Sequence, residues 1–147
     1  NGLFFSHQTV GESIGIFAYL TSGEFPDYER VVPKNELDVC NFEIWKDSLI
    51  QSLNRASLVA DIINITVNEG LEISGKSERG RFKETIPTLE INGAIDIMCN
   101  LKYLLQPLTR LEDEKVTLRF NEDNIISVNS KQYIYVLSPV EGEGKNA

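Results

Sequence analysis

Carboxylates gather twice in this chain, at Glu112-Asp113-Glu114 and at Glu122-Asp123. These are the residue types that acid–base or metal chemistry would use. Both runs fall at turns between apolar-periodic segments, where solvated charge is expected. No histidine accompanies them, since the single one is His7. Cys40 falls in phase with Phe42 and Ile44, and Cys99 with Ile95 and Ile97, so both read as buried thiols of strands rather than nucleophiles. Two cysteines so far apart form neither a metal spacing nor a disulfide framework. There is no glycine-rich phosphate loop, no nucleophile elbow and no zinc motif. The sequence offers no enzyme and no cofactor site, so its chemistry is that of contact surfaces.

A net charge of −8 argues against a phosphate partner if only the sum is considered. The distribution says more. Outside its leucine face, a helix beginning at Leu101 carries Lys102, Gln106, Thr109 and Arg110, with no acid between Leu101 and Leu111. An earlier helix carries Lys46 and Arg55 away from its core stripe. Asp47 lies in its first turn, where the helix dipole favours an anion. The acids occupy turns and strands and spare the helix faces, which permits a weakly basic surface suited to phosphates. Leu58 shares a face with Asp47, Gln51 and Asn54 and therefore projects from the polar side. With Val59 beside it, a protein–protein contact is expected there.

The elements that must position these residues follow from periodicity. With 41% hydrophobic and 24% charged residues the 147-residue chain is globular, with material for one domain or one domain plus a piece of another. Leu3 to Phe5 and Ile14 to Leu20 read as two strands around Gly11. From residue 39 onward a pattern occurs twice. The first copy is a strand at Val39 to Ile44, a helix over 46–60, and strands at Ile63 to Val67, Leu71 to Gly75 and Arg81 to Ile91. The second is a strand through Ile95, Ile97 and Cys99, then Asn100 as helix N-cap and a helix with Leu101, Leu104, Leu105, Leu108 and Leu111 on its apolar face. Strands at Val116 to Phe120, Ile125 to Asn129 and Tyr133 to Pro139 complete it. The expected fold is α+β, with two helices side by side on one face of antiparallel sheets built from both copies. Pro107 is expected to kink the second helix, and Trp45 stands at the first N-cap without an oxygen to cap with.

Between the first two strands and the duplicated unit lies Phe25-Pro26-Asp27-Tyr28-Glu29-Arg30-Val31-Val32-Pro33. Two prolines keep it out of a sheet interior, and its apolar residues are too many for a solvated linker. It reads as a pinned connector, and two strands before it cannot stand alone as a domain. No apolar run approaches membrane-spanning length and no signal peptide opens the chain, so a cytoplasmic location is expected. A start at Asn1 rather than Met reads as a fragment.

The connector, the duplication and the helix faces together resemble the bacterial DNA polymerase III beta subunit family, the replicative sliding clamps. Gly23 to Asn35 (GEFPDYERVVPKN) resembles the clamp's junction between its second and third domains. Asn100-Leu101-Lys102-Tyr103-Leu104-Leu105 resembles its second inner helix, and Tyr135-Val136-Leu137-Ser138-Pro139-Val140 its final strand. The resemblance implies a DNA-clamp fold. Residues 1–24 would be the last strands of a preceding domain, 25–35 the connector, 36–140 the third domain and 141–147 a flexible tail. It also implies a homodimeric ring that encircles duplex DNA without sequence preference. Lys46, Arg55, Lys102 and Arg110 would then face the DNA, and Leu58 and Val59 the other protomer. A pocket for the short hydrophobic peptides of polymerase and clamp-loader subunits would draw on Pro26, Arg30, Val31, Asn100, Tyr103, Val136, Leu137, Ser138, Pro139 and Val140. The alternative reading is a divergent clamp-like peptide-binding module that no longer forms a ring.

Overall fold

The computed structural model of the chain describes residues 2–19 and 38–140. The connector from Phe25 to Pro33, with Pro26, Arg30 and Val31, and the tail 141–147 lie outside the described residues. β1 (Gly2–Thr9) and β2 (Glu12–Tyr19) form an antiparallel hairpin with Phe4 opposite Phe17. Apolar side chains are exposed on both of its faces, Ile14 and Ile16 on one and Phe17 and Tyr19 on the other.

The duplicated unit begins with β3 (Asp38–Trp45), in which buried Cys40, Phe42 and Ile44 alternate with less buried positions. α1 (Lys46–Ser57) buries Leu49, Ser52, Leu53 and Ala56. β4 (Ile62–Val67), β5 (Leu71–Ser77), β6 (Gly80–Ile86) and β7 (Glu90–Gly93) follow. The second copy is β8 (Ile95–Asn100), α2 (Leu101–Leu108), β9 (Lys115–Asn121), β10 (Ile126–Asn129) and β11 (Ile134–Leu137). Two antiparallel sheets result, one in the order β11-β10-β9-β3-β7 and the other β6-β5-β4-β8. The copies exchange strands: β3 pairs with β9 through Phe42 opposite Leu118, and β8 pairs with β4 through Ile97 opposite Ile65. α1 and α2 pack on each other. Their buried leucines share one core with the inner faces of the strands, where Phe42 and Phe120 stack at 5.9 Å.

The backbone repeats its solutions in both copies. Trp45 makes no side-chain cap, and the Lys46 N–H donates instead to the Glu114 carbonyl at 2.9 Å. At the matching place in the second copy the Leu101 N–H donates to the Asp61 carbonyl at 2.9 Å. Each helix start is thus met by the loop that follows the other helix, which satisfies an otherwise orphaned donor. Leu89 N–H donates to the Glu43 carbonyl at 2.9 Å, and Val140 N–H to the Met98 carbonyl at 2.8 Å.

Four expectations are corrected. The single strand over Arg81 to Ile91 is two, because Pro87 has no N–H for a ladder and the chain changes sheets there. Before it β6 pairs with β5, and after it β7 pairs with β3. The first helix ends at Ser57 rather than at residue 60. The second ends at Leu108, so Thr109, Arg110 and Leu111 lie beyond it. Pro107 sits buried in its last turn, and Arg110 N–H closes that turn on the Pro107 carbonyl at 3.0 Å. The proline therefore lies in the last turn of this helix and not in its middle.

Leu53 and Leu58 separate core from surface at one helix end, fully buried in one case and 74% exposed in the other. In urea denaturation of this chain, Leu53→Ala is expected to cost about 2–5 kcal/mol. Leu58→Ala should stay within about 0.5 kcal/mol.

Candidate functional site

The Val140–Met98 hydrogen bond decides where the end of the domain lies. Met98 is on β8, which runs directly into Asn100 and α2. The bond therefore holds the segment after β11 alongside the start of α2, and α2 also packs against β11. Asn100 caps the helix as its residue type predicts: its Oδ1 accepts from the Lys102 N–H at 3.0 Å. That cap fixes the first turn and with it Tyr103, which is 59% exposed. Leu137 is buried and secures β11 to the core, Val136, Pro139 and Val140 are partly buried, and Ser138 is exposed. Seven of the ten pocket candidates are thus gathered at one end of the domain, and the other three lie outside the described residues. An exposed tyrosine beside partly buried apolar residues suits a ligand with apolar anchors and few charges.

The four basic candidates differ in how free their charges are. Lys46 Nζ donates to the Leu111 carbonyl at 2.6 Å and is tied to the turn beyond α2. The Arg55 guanidinium grips Glu84 of β6 with two hydrogen bonds, through Nε at 3.2 Å and through a terminal nitrogen. Lys102 is exposed, with Asp61 at 3.7 Å. Arg110 is exposed and makes no ion pair with a described residue. The α2 side therefore keeps more available positive charge than α1. Leu58 projects into solvent as expected, while the Val59 carbonyl accepts from Ser77 Oγ at 2.5 Å.

Sequence reasoning missed Glu84. Ser52 Oγ, on a fully buried residue of α1, donates to its Oε2 at 2.8 Å, so two donors one helical turn apart meet one carboxylate. The Arg55 hydrogen bond, joined by Ser52, holds the Glu84 carboxyl below its ordinary value. The spacing of Ser52 and Arg55 was a signal, but the acid that answers it is far away in sequence. Cys40 and Cys99 are buried as expected, and burial pushes their thiols up to about 11 and about 12. Neither supplies a thiolate at neutral pH. A cleft of about 790 Å³ opens elsewhere, between the turn after α2 and the β10–β11 turn. Arg110 alone of the predicted site residues lines it. Its walls are mainly charged, with Glu43, Glu112, Asp113, Glu114, Lys115 and Lys131. Among the described residues no helix is long and apolar enough to cross a membrane.

Two helices on antiparallel sheets built by exchange between duplicated halves define a DNA-clamp fold. The DNA polymerase III beta subunit of Thermotoga maritima superposes with a TM-score of 0.78 over 92% of this chain and 39% of its own, at 21% identity. A sequence profile of the DNA polymerase III beta subunit, C-terminal domain, matches residues 29–140. The chain belongs to that family. The beta sliding clamp of Escherichia coli K12 is 30% identical over 147 aligned residues, covering 90% of this chain and 39% of that protein. The beta sliding clamp of Streptococcus pneumoniae serotype 4 is 27% identical over 129, covering 80% and 34%. The chain thus spans little more than a third of the length of the curated relatives it matches.

The Arg55–Glu84 pair yields a pH prediction. A carboxyl whose folded pKa lies below its unfolded value adds stability at neutral pH, lost as pH falls through the folded pKa. Arg55→Ala should therefore move the Glu84 titration, followed by carboxyl-carbon NMR, upward toward the ordinary carboxylate range. The stability lost at neutral pH should be about 1 kcal/mol or less, because both partners are partly solvated. An unmoved Glu84 would show that the guanidinium does not hold it.

Proposed function

We propose that this chain is the C-terminal part of a DNA sliding clamp, a non-catalytic ring that encircles duplex DNA and tethers the replicative polymerase. Membership of the family across residues 29–140 carries the reading. Two such protomers would close a ring with α1 and α2 toward its hole, in the cytoplasm. The β1–β2 hairpin would be the end of the preceding domain. Its apolar residues, exposed on both faces, support this, since a lone hairpin with two sticky faces needs further layers to cover it.

Lys102 and Arg110 would meet phosphates from the α2 side, without base readout and loosely enough for sliding. Lys46 would add to the positive potential there while bonded to the neutral Leu111 carbonyl, and Arg55 would face the DNA with its charge offset by Glu84. Leu58 and Val59 would lie at the contact with the other protomer. At the start of α2, Asn100, Tyr103 and Val136 to Val140 would receive a short hydrophobic peptide from polymerase or clamp-loader subunits. Pro26, Arg30 and Val31 of the connector would complete that groove. The position of β8 supports this physically: among the described residues it is an outer strand of its sheet, and beyond the Met98 carbonyl, which takes the Val140 N–H, the rest of its edge would serve a peptide. An extended peptide can use such an edge for main-chain hydrogen bonds while pockets take its side chains.

Fluorescence polarisation with a labelled clamp-binding peptide tests the groove. Tyr103→Ala and Pro139→Ala should each weaken binding by about tenfold, the loss of one well-packed anchor. Unchanged affinity in both would remove the assignment. In the full-length protein, the double change Lys102→Glu and Arg110→Glu should reduce retention on circular DNA or polymerase processivity, most strongly at low salt. No effect at low salt would remove these residues from the DNA surface.

A further inference from the structure

Glu84 stands where the alternation of β6 calls for an apolar residue. Along this strand Phe82, Glu84 and Ile86 alternate with the exposed Arg81, Lys83 and Thr85, and Glu84 lies opposite the fully buried Ile73 of β5. Its side chain therefore leaves the sheet on the core side, toward α1, which packs on β6. There α1 presents two donors one turn apart. Ser52 Oγ, on a fully buried residue, donates to Oε2 at 2.8 Å. The Arg55 guanidinium donates to the same oxygen through Nε at 3.2 Å and to Oε1 through a terminal nitrogen. Both carboxylate oxygens are thus engaged by one guanidinium fork, the two-pronged geometry with which arginine also grips a phosphate. An inward acid on an edge strand discourages pairing with foreign strands by itself. That role requires no partner on the helix, and it leaves unexplained why a buried hydroxyl fixes the carboxylate against Arg55.

We propose that Glu84, anchored by Ser52, is a charge-offsetting residue of the DNA-facing surface: it occupies the Arg55 guanidinium and keeps that side of the ring from gripping a phosphate. The inference rests on the ring reading above and deepens it, naming a residue that sets how tightly the surface holds a duplex. The guanidinium stays half exposed, so a passing anion can reach it. A phosphate must nevertheless compete with a carboxylate already seated on its fork. The four basic residues then contribute unequally. Lys46 is bonded to a neutral carbonyl, Lys102 has Asp61 only at 3.7 Å, and Arg110 makes no ion pair with a described residue. Among these four, Arg55 alone is held by hydrogen bonds to an acid. Each phosphate neutralised by a cation tightens binding and steepens its salt dependence. A ring that moves along a duplex needs few such contacts, and Glu84 removes one.

The test is fluorescence anisotropy of a short labelled duplex titrated with the full-length protein, from about 50 to about 300 mM NaCl, a range over which surface charges become screened. Glu84→Gln keeps the shape of the side chain and an acceptor for Ser52, so the fold is retained. It should tighten binding by about threefold to tenfold at the low end and steepen the slope of log K against log salt by about 0.9, the equivalent of one further phosphate. The double variant Arg55→Ala with Glu84→Gln has the net charge of the wild type and should lose that gain. Glu72→Gln is the control: it changes net charge as Glu84→Gln does, but frees Lys83 on the outer face of the sheet, and it should leave the slope unchanged. A gain no larger than that of Glu72→Gln would overturn the proposal while leaving the ring intact. A gain that survives Arg55→Ala would overturn it equally. Wild-type protein loaded on circular DNA should stay until the circle is cut. A protein that is not so retained would overturn the ring reading itself, and this inference with it.

Discussion

Everything in the domain depends on the exchange between its two halves. β3 finds its partner in β9 and β8 finds its partner in β4, so neither half can complete a sheet from its own strands. The helices obey the same rule. Lys46 donates to Glu114 and Leu101 to Asp61, so each helix N-terminus is completed by the loop after the other helix. A helix end buried without such a partner would lose hydrogen bonds that water can no longer supply. The two halves are therefore bound to fold as one cooperative unit, with the leucines of both helices in one shared core.

The duplication also shapes the end of the domain where a partner is proposed. Leu89 and Val140 make matching bonds, to Glu43 and Met98, each three residues before a helix begins. In the first half the chain continues into β7, which covers the outer side of β3. In the second half no described strand covers β8 in the same way. The proposed groove lies beside β8, on the side where the Val140 N–H meets the Met98 carbonyl.

Local signals were legible in the sequence wherever one residue's chemistry sufficed. The alternation of Cys40, Phe42 and Ile44 marked a buried strand face. Asn100 announced a helix cap, and Leu58 stood out as an exposed leucine. Misreadings arose where a local feature acted through distant structure. Pro87 divides what reads as one strand because the chain there leaves one sheet for another, and periodicity of two continues across the break. α2 ends at Leu108, one residue past Pro107, although the apolar spacing continues to Leu111. Arg55 read as a free basic residue on a helix face, because Glu84, its partner, comes from an edge strand remote in sequence. Lys76 of β5 stands opposite Arg81 of β6, and this was equally hidden, since register between strands is set by the turn and the core rather than by composition.

In the proposed function the seat of Val140 on Met98 builds a groove at the start of α2. Amide hydrogen exchange at Val140, with and without a bound clamp-binding peptide, is the measurement that decides it. The Val140 amide should be protected in the free protein and slowed further by the peptide, together with amides at the start of α2. An amide exchanging as in an unfolded chain, or one indifferent to a peptide that binds elsewhere, would contradict it.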